Sequence, residues 1–172
     1  MMKMSSFVAG IVLAFVLAGC VLESEQPNFK ESDGVALPEK FVATFVTENF
    51  SNGEWKAEEG SVRFTASGQH YVATNEKAET IDVLFAALGK TAWVMQAAEK
   101  DKPSAYVLVE AKDDSLLLRP LFCDDLKKQE PVAKLVRFEG SDCFLKGKAG
   151  LEVFKMLAAK AAPAKMRLRI VK

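Results

Sequence analysis

The chain has 172 residues, with 23 basic and 23 acidic side chains, one histidine and three cysteines. That length suits one ordinary domain with its own core. Balanced charge excludes a strongly basic nucleic-acid binder, and a single histidine leaves little material for histidine-based metal or acid–base centres.

Lys3 opens the chain with positive charge, and Phe7 to Ala18 is an uncharged, mostly apolar run of about a dozen residues. This is too short for a spanning helix of roughly 20 residues and fits the apolar part of an export signal. Leu17-Ala18-Gly19-Cys20 follows, and this segment resembles the lipobox of bacterial lipoproteins. The resemblance covers residues 1–20. It implies that residues 1–19 are a cleaved signal and that Cys20 carries a diacylglyceryl group and becomes the acylated amino terminus. The mature protein is then expected in the bacterial envelope. Val21, rather than an aspartate, follows the cysteine, which favours the inner leaflet of the outer membrane, facing the periplasm.

Residues 20–37 are expected to be a lipidated tether. Val21 to Leu37 is rich in Glu, Ser, Asn and Asp, contains Pro27 and Gly34, and shows no sustained period. Extended, it would reach roughly 50–60 Å. Residues 38–172 are expected to form a single β-rich domain.

From Pro38 the pattern alternates, as half-buried strands do. Phe41, Ala43 and Phe45 share one face, Asn52-Gly53 marks a tight turn, and Val62, Phe64 and Ala66 alternate with Arg63 and Thr65. Ser67-Gly68 leads into a strand with Tyr71 and Ala73 on one side. Thr80 to Ala87 fits a strand through Ile81, Val83 and Phe85, or a helix through Ile81, Leu84, Phe85 and Leu88. Strand is chosen, because Gly89-Lys90 separates this run from the strand-like Thr91 to Ala97. Ala105 to Ala111 and Ser115 to Phe122 read as two more strands around Lys112-Asp113-Asp114. Asp124 to Lys134 reads as a loop or short helical turn, and Leu135 to Phe138 as a short strand. Ala149 to Ala161 is an amphipathic helix with its stripe at Leu151, Phe154, Leu157, Ala158 and Ala161, ended by Pro163. Lys165 to Lys172 alternates again and is expected at a sheet edge. The fold expected is mainly β, or α+β: an antiparallel meander curling into a small barrel or half-barrel, with one C-terminal amphipathic helix. Phe41, Phe45, Phe64, Tyr71, Phe85, Trp93 and Tyr106 should fill its interior or line a cavity there.

Cys123 and Cys143 are an even pair left over after lipidation of Cys20, and in an oxidising compartment they read as a disulfide. A thiolate metal site helped by Asp124, Asp125 and Asp142, or two unpaired thiols, are the alternatives. No CxxC spacing supports a metal. From Phe144 to Lys172 basic side chains outnumber acidic ones eight to one. Lys155, Lys160, Arg167 and Arg169 are therefore candidates for an anion-facing patch.

Catalytic motifs are lacking. No GxSxG elbow occurs, Gly89-Lys90-Thr91 lacks the earlier glycine of a phosphate loop, and the adjacent acids Glu58-Glu59, Asp113-Asp114 and Asp124-Asp125 read as solvated turn residues. No catalytic residue, cofactor or metal is expected. The chain is read as a non-enzymatic envelope lipoprotein that meets the membrane through its anchor and binds a partner protein or a small apolar or anionic ligand. Its layout is similar to that of lipocalin-like lipoproteins. An inhibitor or assembly factor, resembling lipid-anchored periplasmic lysozyme inhibitors in size and β content, is the alternative. An envelope hydrolase comes last.

Overall fold

The computed structural model describes residues 21–171. The expected signal, residues 1–19, and Cys20 lie outside the described residues. Eight strands close into an antiparallel barrel: β2 (Thr44–Ser51), β3 (Glu54–Ser67), β4 (His70–Asn75), β5 (Thr80–Ala87), β6 (Ala92–Ala98), β7 (Ser104–Lys112), β8 (Ser115–Pro120) and β11 (Met166–Ile170). Neighbours along the chain pair from β2 through to β8. The ring closes through β11, which lies between β8 and β2.

Local chemistry explains most of these elements. Asn52 and Gly53 both have positive φ, at 53° and 83°, and turn β2 into β3, as a two-residue hairpin requires. Gly68 and Asp113 take the same left-handed backbone at the next turns. Thr80–Ala87 is a strand, and its helix-like apolar spacing has a physical cause. Ile81, Val83 and Phe85 point into the barrel, while Leu84 and Ala86 are buried against its outside. A strand covered on both faces loses clean alternation.

Two cores result. The barrel interior is filled by Phe41, Phe45, Phe64, Tyr71, Phe85 and Trp93, together with aliphatic side chains from all around the ring, such as Val107, Leu116, Leu118 and Leu168. These aromatics fill the barrel rather than line a hollow. Tyr106 departs from the expectation and belongs to the second core, on the outer face of β5–β7. That face is covered by β1 (Leu22–Ser24), Phe29, α1 (Cys123–Lys127), β9 (Val136–Glu139), β10 (Asp142–Leu145) and α2 (Leu151–Lys160). Phe154 and Leu157 of the expected helical stripe are buried there, whereas Leu151 is exposed.

The expected tether is corrected by this covering. Residues 21–37 are part of the domain: Leu22 is fully buried, and Phe29 and Leu37 nearly so. β1 pairs with β7 and, in parallel, with β10. Two buried side chains hold the segment. Gln96 bonds both the amide and the carbonyl of Phe29, at 2.8 and 3.0 Å. The Tyr106 hydroxyl accepts the Asn28 amide at 3.0 Å and lies 2.5 Å from Ser24 Oγ. Gly34 approaches β4 so closely that an added Cβ would lie 2.5 Å from the Gln69 carbonyl oxygen.

Three smaller differences follow. Phe41 ends a short 3₁₀ turn before the first long strand instead of sitting within it. Glu58-Glu59 lies inside β3, not in a turn. The C-terminal strand is interior to the closed sheet, not at an edge, because its apolar face, centred on the fully buried Leu168, completes the barrel core. The Cys123–Cys143 disulfide forms, with Cα atoms 5.6 Å apart, and ties the first residue of α1 to β10. Its sulfurs are joined to one another rather than to a metal.

Candidate functional site: an apolar groove with a cationic rim

The last three residues of β8 run out under α1, and the chain after α2 returns toward β11. Between them lies a groove of about 660 Å³, within the range of small-molecule sites. Its walls are Leu108, Leu118, Leu121, Leu126, Leu157 and Met166, and the loop Ala161 to Ala164 closes one side. Each element brings an apolar side chain for a local reason. Leu157 lies on the packed side of α2, one turn after Phe154, and Ala161 follows the end of the helix. Leu126 closes the buried side of α1, while Asp124 and Asp125 occupy its first turn, where carboxylates suit the helix dipole.

Phe50 and Phe122, at 42% and 39% exposure, stand at the mouth. Lys128, Lys160 and Lys165 line the rim, are exposed, and form no ion pair among the described residues. Asp125 is the one acid of the lining. Arg119 also lines the groove, and its outer nitrogen meets Glu110 at 2.8 Å. Its Nε, and Oε1 of the groove-lining Gln129, are buried without a hydrogen-bond partner among the described residues. A buried donor or acceptor left unpaired costs about 1–3 kcal/mol; both atoms belong to lining side chains but are themselves closed off from solvent.

The four cations singled out in the sequence do not form one patch. Arg167 and Arg169 both bind Glu48, at 2.6 and 2.8 Å. Lys155 pairs with Glu152 on the exposed side of α2. Of the four, Lys160 alone reaches the groove. The sequence pattern missed Lys128, Lys165 and Arg119, which come together only when β8, α1 and the turn after α2 converge.

A second, shallow pocket of about 180 Å³ lies on the other side of the barrel, lined by Glu31, His70, Asp82, Val83, Leu84, Gln96 and Ala98. His70 Nδ1 lies 3.5 Å from Glu31. The lining carries no hydroxyl or thiol to act as a nucleophile.

No protein-family model, curated protein or solved structure matches the chain.

Proposed function

We propose that the chain is a non-enzymatic envelope lipoprotein, anchored through Cys20 on the periplasmic side of the outer membrane, whose groove holds an amphiphile with an apolar body and an anionic head. The groove carries this reading. Its walls are leucine, alanine and methionine, and its rim is lysine. Apolar walls with a few convergent polar groups are the usual make-up of a ligand site. The barrel itself offers no comparable space, since six aromatic rings fill it. The disulfide suits an oxidising compartment, which agrees with export. Lipid anchoring rests on the first twenty residues, and the membrane side on Val21 after them.

The test uses the described domain without its first twenty residues and a fluorescent fatty acid displaced by unlabelled palmitate. Saturable binding in the micromolar range is expected. Ala162→Trp, which fills the exposed mouth of the groove, should weaken it at least tenfold, about 1.4 kcal/mol. Lys160→Glu with Lys165→Glu should weaken binding and flatten its salt dependence. An unresponsive wild-type domain would transfer the face to a protein partner, the inhibitor or assembly-factor reading.

A further inference from the structure

The chain enters the domain beside the groove. Val21 bridges Phe122, and the Leu22 amide donates to the Leu121 carbonyl at 2.8 Å. Phe122 and Leu121 both line the groove. Cys20 is one residue before Val21, and a single extended residue spans about 3.3–3.6 Å. A lipid carried on Cys20, as in the reading above, would therefore start one residue from the groove's lip. The packing of residues 21–37 removes the spacer that would have let the domain drift away or tumble.

The same end of the barrel carries the complementary chemistry. Phe50 and Phe122 are exposed there, and Lys128, Lys160 and Lys165 stand around them with no ion pair among the described residues. The opposite end is distinct. Val171 bonds the Thr44 carbonyl, and Ile170 that of Asp114, whereas the groove end lies at Asn49 and Met166, which pair with each other. Thr44 and Phe50 are six strand residues apart, roughly 20 Å.

We propose that the groove end of the barrel rests on an anionic bilayer with the groove mouth turned to the lipid, and that the groove takes an acyl chain of an anionic lipid directly from that surface. The second half rests on the amphiphile reading above. The orientation rests on where the chain enters and on the exposed side chains. Each lysine near an anionic surface strengthens attachment, and the two phenyl rings add apolar burial. Several acyl chains on Cys20 would make the anchoring itself firm. The lysine rim and phenyl pair are then not needed for attachment and serve to fix which end faces down.

The experiment uses the full chain reconstituted into vesicles of phosphatidylcholine and phosphatidylglycerol containing a lipid with a nitroxide near its head group. Phe122→Trp and Val171→Trp are compared, each read as the difference from wild type so that Trp55 and Trp93 cancel. The added emission of Phe122→Trp should be quenched several-fold more than that of Val171→Trp. Combining Phe122→Trp with glutamate at Lys128, Lys160 and Lys165 should lower the quenching, and so should vesicles of phosphatidylcholine alone. Circular dichroism and intact disulfide on each variant secure the fold. Equal quenching at the two positions, or more at Val171→Trp, would overturn the orientation and give Phe122 to a protein partner. Palmitate displacement separates the two readings. Quenching without displacement leaves the orientation and removes the groove ligand, whereas displacement with equal quenching leaves a ligand taken from solution.

Discussion

Glu48 is the carboxylate on which two guanidiniums converge. Between Val46 and Glu48 the register of β2 against β3 shifts, the extra residues lying in β3, and the Glu48 side chain meets Arg167 and Arg169 of β11. Arg167 also lies over the Trp55 ring at 4.4 Å. Burial pushes the Glu48 carboxyl up, but the hydrogen bonds from Arg169 and Arg167 outweigh it and hold the group below its ordinary value. A depressed carboxyl stabilises the fold above its unfolded value, and that stability is lost as pH falls through the folded value. Glu48→Gln should thus cost about 1–3 kcal/mol at neutral pH, with the melting-temperature gap to wild type narrowing as pH drops below the carboxylate range. A gap independent of pH would show that the pair contributes packing alone. The alternation that puts both arginines on one face was legible in the sequence. Their partner was not, because Glu48 lies about 120 residues earlier and nothing local marks it as buried. Glu23 illustrates the opposite sign. Burial first, then the nearby Asp142, raises its carboxyl, so its contribution favours low pH and is lost as pH rises.

At the scale of elements, the segment from Val21 to Leu37 shows why composition misled. Its buried residues, Leu22, Phe29 and Leu37, are too sparse to make a period, and the rest is polar. The segment is fixed by bonds between its backbone and distant side chains, chiefly Gln96 and Tyr106, which no local pattern records. Burial is the leading reason that the Tyr106 hydroxyl holds its proton above the ordinary value, with Ser24 and Asn28 opposing it. Tyr106→Phe removes the acceptor for the Asn28 amide and should destabilise this covering by about 1–3 kcal/mol. Hydrogen exchange tests the location. Amides of residues 21–29 should lose protection while those of β3 and β4 keep it, as expected when one unit opens without the whole. Uniform loss across the barrel would mean that the covering and the barrel unfold together. Other elements were readable because their signals are local. Asn52-Gly53, Ser67-Gly68 and the stripe of α2 each specify themselves within a few residues. β1 and β10 were missed for being short and, in β1, polar.

For the whole molecule, a meander curling into a barrel was readable from strand spacing, and the strand that closes it was not: Lys165 to Lys172 read as an edge, whereas pairing of β11 with β2 joins Met166 to Asn49. The groove escaped for a related reason: it is assembled from strand ends and helix faces whose leucines look like ordinary core. That late-coming closure governs how the molecule comes into being. Until β11 arrives, β2 and β8 are bare edges facing a gap, and every earlier strand is present without a finished barrel. The ring cannot be completed from its first strand onward as the chain emerges. It snaps shut only when residues 166–170 are free to slot between strands more than sixty residues apart in sequence, so acquisition of structure waits for nearly the entire described chain. Such long-range pairing is slow, and open edges invite association meanwhile. A chain truncated before Met166 should therefore be an expanded, aggregation-prone species rather than a slightly weakened barrel, as sedimentation and circular dichroism would reveal. A monomeric, cooperatively melting truncated form would contradict this. The position of one five-residue strand thus sets the order of synthesis against the order of completion: the last described strand to be made is the one on which the ring depends.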